Sequence, residues 1–132
     1  MAHAQLKAVS ERCGCGGIDV HTHIVPMEFP PYLGHHLSVR WPSMVPAQPC
    51  HRHLMLDGEV FRTVSNQSWD PMVRVADMEQ QRIAHQVLSP MPELLAYWLE
   101  GESAVSMTRF LNEQIAAMVA TAPKHFTGLG TV

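Results

Sequence analysis

The chain is 132 residues long, 46% hydrophobic and 16% charged, the composition of one soluble globular unit with enough apolar side chains for a core. A formal net charge of -3 with scattered Lys and Arg lacks the basic stripe of a nucleic-acid binder, so no nucleic-acid partner is expected. No apolar stretch reaches membrane-span length and residues 1–12 lack the hydrophobic middle of a secretory signal, so no membrane partner is expected and the cytosol is the predicted location.

Residues 1–16 read as a flexible N-terminal extension that closes in Cys13-Gly14-Cys15-Gly16, where glycine favours turns over regular structure. The ordered domain is predicted over 17–132. Its first segment, Gly17-Ile18-Asp19-Val20-His21-Thr22-His23-Ile24-Val25-Pro26, reads as a buried strand through Ile18 and Val20 and stops at proline. Alternate residues of a strand share a face, so His21 and His23 are able to aim both rings at one metal ion. Neutral imidazole suits zinc and its neighbours. His-x-His alone is a moderate signal, since strand histidines satisfied by backbone give the same pattern. Asp19 is read as a strand-end hydrogen-bonding residue without a catalytic role.

Prolines 30, 31, 42, 46 and 49 break up residues 27–50, which are predicted to form one long irregular loop. Leu54-Met55-Leu56, the turn pair Asp57-Gly58 and Val60-Phe61-Arg62-Thr63-Val64 predict a β-hairpin over 54–64. Asp70-Pro71 supplies an N-cap and a proline at the first helical position, and the stripe Met72, Val73, Val75, Ala76, Met78 carries that helix to Arg82. Ala84 to Ser89 fits a second strand, ended by Pro90 and Pro92. Val105, Met107, Phe110, Leu111, Ile115, Met118 and Val119 recur at helical spacing behind a Ser103 cap, with Pro123 beyond. Residues 126–132 read as a third strand. This order predicts a parallel α/β sheet. A complete eightfold β/α barrel needs about 250 residues, so the expected alternatives are a small open sheet or part of a barrel.

Several of these pieces in order carry a family likeness: Ile18-Asp19-Val20-His21-Thr22-His23-Ile24-Val25-Pro26, then Asp57-Gly58-Glu59-Val60-Phe61-Arg62-Thr63-Val64, then Trp69-Asp70-Pro71, Arg74 and Asp77-Met78. Leu88-Ser89-Pro90-Met91-Pro92, Tyr97-Trp98, Leu111-Asn112 and the run from Phe126 to Val132 follow in register. The sequence resembles the aminocarboxymuconate-semialdehyde decarboxylase branch of the amidohydrolase superfamily over nearly everything after Gly17. The resemblance implies the N-terminal part of a (β/α)8 TIM barrel with an inserted β-hairpin, truncated after the third barrel strand.

It also implies a metal-dependent decarboxylase of a small unsaturated carboxylic acid, in which His21 and His23 bind Zn2+ or another divalent transition metal. Arg62 falls on the arginine that grips a substrate carboxylate, and a planar guanidinium fork matches that group. A zinc ion with an open position turns bound water into a nucleophile near neutral pH. The family's remaining metal ligands and its acid-base histidine come from later strands, so no catalytic residue is assigned in this chain and the isolated chain is expected to be inactive. The resemblance further implies a homodimer. A hydrolase or hydratase of the same superfamily, and a non-catalytic shortened product that binds a partner through an open sheet edge at Val87, Leu88 and Leu129, are the competing readings.

The other candidates have ordinary readings. Cys13, Cys15 and Cys50 suit a reducing compartment, and their spacing with His51 and His53 matches no common zinc pattern. His35 and His36 read as a solvated loop pair. Trp69, Tyr97 and Trp98 read as packing residues, and Arg74 with Asp77 as a surface ion pair on one helix.

Overall fold

The computed structural model describes residues 16–132, so Cys13, Cys15 and the expected extension up to residue 15 lie outside the described residues. In chain order the first half holds β1 (Gly17–Ile24), β2 (Ser43–Pro46), β3 (His51–Leu56), β4 (Glu59–Ser65) and a 3-10 turn at Asn66–Ser68. Then come α1 (Pro71–Gln81), β5 (Ile83–Pro90), a second 3-10 turn at Pro92–Leu94, α2 (Gly101–Thr121) and β6 (Phe126–Gly128).

Two sheets result. One is parallel, in the order β1-β5-β6, with its strands joined through α1 and α2; the other is antiparallel, in the order β2-β3-β4. The expected α/β class with a parallel sheet is therefore present. Consecutive strands lie side by side, an order compatible with part of a barrel.

The local chemistry of α1 follows its sequence. Asp70 is extended and its carboxylate accepts from the backbone N–H of Met72 (2.9 Å) and Val73 (3.2 Å), while Pro71 opens the helix without wasting a donor. Arg82 ends α1 in the left-handed region at φ 58°, which reverses the chain directly into β5. The hairpin turn also forms as expected, with Asp57 and Gly58 at φ 53° and 77°. Positive φ at both central residues is the tight turn whose twist matches two antiparallel strands.

Two apolar clusters hold the layers together. Ile24, Leu88 and Phe126 of the parallel sheet pack on Val75 and Met78 of α1 and on Ile115 and Met118 of α2. Each such side chain contributes roughly 1.5–3 kcal/mol when fully buried. Gly128 lets β6 approach α2, since a β-carbon there would come within 2.5 Å of Ile115 Cγ2. The second cluster joins Leu54 of β3 to Val25 and Met91, the residues that follow β1 and β5, and to Met107 and Leu111 of α2. The antiparallel sheet thereby sits at the C-terminal end of the parallel strands.

Several expectations are corrected. Ile18 and Val20 are not buried but 68% and 70% exposed. The register pairs Ile18 with His85, on the sheet face away from α1 and α2, and Val20 falls within an irregular stretch between Asp19 and Thr22. Residues 27–50 are not wholly irregular, because Ser43–Pro46 pairs with β3. Proline is tolerated there because β2 is an edge strand. Leu88 is no open edge: β5 is the central strand and both helices cover it. Ser103 does not cap α2, which starts at Gly101 after Glu100. The regular part of the third strand spans only Phe126–Gly128; beyond it Leu129 N–H still donates to Leu88 O, and the Asn112 amide both donates to and accepts from the Thr131 backbone. Tyr97 is 79% exposed in a turn where Ala96 takes φ 51°, so it is not a packing residue, whereas Trp98 packs under Arg40, whose guanidinium carbon lies 5.0 Å from its ring centre.

The cap makes a direct prediction. Asp70→Ala lowers the unfolding free energy by about 1 kcal/mol in urea titration, whereas Asp70→Asn, which keeps an acceptor, stays close to the parent.

Candidate metal centre

His21 and His23 occupy the C-terminal half of β1, at the end of the parallel sheet where open α/β folds collect their ligands. Their Nε2 atoms stand 3.1 Å apart and their rings meet edge to face, with centroids 4.9 Å apart. Two nitrogens bound to one tetrahedral zinc at its usual bond length are about 3.3 Å apart. The pair therefore has the spacing, the donor type and the convergence that a shared divalent ion needs. Among the described residues no third His, Cys, Asp or Glu joins them. The Cys50, His51 and His53 stretch forms no such cluster either: His51 Nδ1 contacts Pro49 O and His53 Nδ1 contacts Thr63 Oγ1.

The irregularity in β1 shapes the surroundings of this pair. Three residue steps from Asp19 to Thr22 span two steps from Gln86 to Leu88 on β5. Strict alternation would set Asp19 beside the histidines; the shift pairs it with buried Gln86 instead. The Asp19 carboxylate accepts from His21 N–H at 3.1 Å, so its expected role as a strand hydrogen-bonding residue is met. From Thr22 onward the register is regular, and Thr22 and Ile24 turn to the helices.

Arg74 is the residue that sequence reasoning misplaced. Rather than forming a surface ion pair with Asp77, it is 8% exposed beneath the strand that carries His23. Its Nε donates to Gln67 O (2.8 Å), its Nη1 to Gln86 Oε1 (3.3 Å) and its Nη2 to His23 O (2.8 Å). One planar guanidinium thus ties α1 to the turn after the hairpin, to β5 and to β1 at the histidine itself. Burial lowers its pKa from the ordinary arginine value, and the nearby Asp19 and Asp77 carboxylates oppose that shift. No signal in the helix pattern of Met72 to Met78 distinguished Arg74 from a surface residue, because its acceptors lie on three other elements.

Ser89 was also missed as a site residue. It is the register partner of His23, with Oγ 2.9 Å from His23 Nδ1 and 3.1 Å from Thr22 O. Strand parity alone separates Ser89 from Leu88, but only the pairing of β1 with β5 sets it beside the histidine.

Arg62 lies on β4 opposite Leu54. Residues opposite one another in an antiparallel pair share a face, so Arg62 belongs to the face on which Leu54 and Val64 meet the second core cluster. Its side chain is exposed, with the guanidinium carbon 5.8 Å from the Phe61 ring centre. His35 and His36 are exposed in the loop after β1, as expected.

No model of a known protein family matches the sequence. Among curated proteins, the 2-amino-3-carboxymuconate-6-semialdehyde decarboxylase of Dictyostelium discoideum is 35% identical to it over 115 residues, 87% of this chain. The chain is a relative of this decarboxylase family. The protein of the same name from Caenorhabditis elegans is 28% identical over the same share. The chain spans about a third of the length of these relatives, 32% and 29% respectively.

The buried guanidinium generates a sharp expectation. Arg74→Ala leaves three acceptors, one on buried Gln86 and two part-buried, without their donor and lowers stability by about 3 kcal/mol or more in urea titration, while Asp77→Ala changes it by less than about 0.5 kcal/mol. Equal, small effects would return Arg74 to the surface pair.

Proposed function

We propose that this chain carries the strand-one metal ligands and the carboxylate-binding arginine of a metal-dependent carboxy-lyase. The substrate class is a small unsaturated carboxylic acid such as 2-amino-3-carboxymuconate 6-semialdehyde, which the names of the relatives favour over the substrate of a hydrolase or hydratase. The observation that carries this reading is the convergence of His21 and His23 Nε2 at the end of the parallel sheet, in a chain related to decarboxylases.

In this reading β1, β5 and β6 are the first three strands of a (β/α)8 barrel and the β3–β4 hairpin is an insertion beside its mouth. His21 and His23 hold Zn2+ or a similar divalent ion, which when bound polarises water into a nucleophile near neutral pH. Arg62 holds a substrate carboxylate from the hairpin. Its guanidinium presents two parallel donors to the two carboxylate oxygens, which fixes the orientation of the acid as well as its charge. The exposure of Arg62 suits a group that must meet ligand from solution.

Catalytic zinc sites take three protein ligands as a rule, and two imidazoles hold the ion weakly. The isolated chain is therefore inactive in this reading, with the remaining ligands and the acid-base group supplied by further strands. Its setting is the cytosol and its assembly a homodimer.

The proposal is checked by elemental analysis and by following loss of substrate absorbance. The 132-residue chain alone retains less than one zinc per molecule after dialysis and shows no turnover; tight stoichiometric zinc with turnover would contradict the incomplete-site reading. In an enzyme that contains these strands with a full ligand set, Arg62→Ala raises KM by roughly tenfold or more, or abolishes turnover. Unchanged kinetics there would make Arg62 an ordinary surface arginine.

A further inference from the structure

His23 and Ser89 face each other across two parallel strands, and the protons between them are countable. Ser89 Oγ donates to Thr22 O at 3.1 Å and lies 2.9 Å from His23 Nδ1. A serine hydroxyl has one proton. With that proton on the Thr22 carbonyl, the second contact is a hydrogen bond only when His23 Nδ1 carries the ring proton and donates it to Oγ. The reverse arrangement, Ser89 donating to His23, leaves the contact to Thr22 O without a proton. Both bonds are satisfied by one tautomer alone.

We propose that Ser89 is a positioning residue of the metal centre, which holds neutral His23 as its Nδ1–H tautomer and so keeps the Nε2 lone pair free for the ion. The proposal rests on the metal reading above and deepens it. Metal-bound histidines commonly give their second ring N–H to such an acceptor, which sets both tautomer and ring direction. Here the acceptor comes from the neighbouring strand, and Arg74 holds the His23 carbonyl on the backbone side. Side chain and main chain of this one ligand are therefore fixed from opposite directions.

His21 is set differently. Its Nε2 is 3.1 Å from His23 Nε2. If the His23 nitrogen is bare, the His21 nitrogen must carry the proton for that contact to be a hydrogen bond. The metal-free pair thus has one imidazole ready to bind and one whose ring proton must move from Nε2 to Nδ1 when an ion arrives. Ligation at His21 is coupled to a proton shift, whereas ligation at His23 is not.

The tautomers are read directly by 15N spectra of histidine side chains in the full chain without metal. His23 shows a protonated Nδ1 and an unprotonated Nε2, and His21 the opposite. Ser89→Ala removes the fixed signature at His23, and Ser89→Thr, which keeps a hydroxyl, restores it. A Zn2+ titration of the same samples shifts both rings in the parent chain and is weakened roughly 10- to 100-fold by Ser89→Ala. His23 protonated at Nε2 in the parent overturns the proposal without any variant having to fold. So does a Ser89→Ala chain with dispersed amide signals whose His23 tautomer and zinc affinity match the parent. Absence of a Zn2+ response at both rings of the parent, with the tautomers as stated, overturns the metal reading itself and with it the role of Ser89 toward an ion.

Discussion

The register between β1 and β5 is the constraint on which the candidate centre depends. It brings Ser89 opposite His23, brings Gln86 opposite Asp19, and sets His23 O and Gln86 Oε1 where the Arg74 guanidinium reaches both. A slip of one residue would reverse every side chain on β1 between the two faces of the sheet. Ile24 would then leave the helices and the histidines would enter the apolar layer. The buried guanidinium opposes such a slip, because its donors are matched to Gln67 O, Gln86 Oε1 and His23 O in this register only.

Stability and the site are coupled through the same few groups. A buried cation is costly unless its donors are used, and each Arg74 nitrogen that donates does so to a fixed acceptor. The core on the helix side holds α1 in place, α1 holds Arg74, and Arg74 holds the strand end that presents His23. On the opposite side the rings remain accessible. The antiparallel sheet meets the same strand ends through Leu54, Val25 and Met91, which brings the hairpin and Arg62 into one assembly with β1 and β5.

Much of the fold was legible locally. Asp70-Pro71, Asp57-Gly58 and the Met107 to Met118 stripe each specify their element through short-range chemistry: a cap, a positive-φ turn and a buried helix face. Readings failed where burial depends on a neighbour distant in sequence. Ile18 and Val20 have strand composition, yet the helices cover the other face. Ser43–Pro46 has proline at its end, yet an edge strand tolerates it. Arg74 has the spacing of a surface pair with Asp77, yet its partners lie elsewhere.

By itself the sequence determined that two imidazoles share one strand, that a parallel α/β arrangement follows, and that an arginine sits on a nearby hairpin. Those features rest on periodicity, turn chemistry and motif order, all of which act over a few residues. Only the tertiary structure decided that the two Nε2 atoms converge at 3.1 Å, that Ser89 Oγ stands 2.9 Å from His23 Nδ1, and that Arg74 is buried beneath it. Each of those depends on how β1 pairs with β5 and how α1 packs on them, and pairing over some 60 residues leaves no periodic trace in the chain.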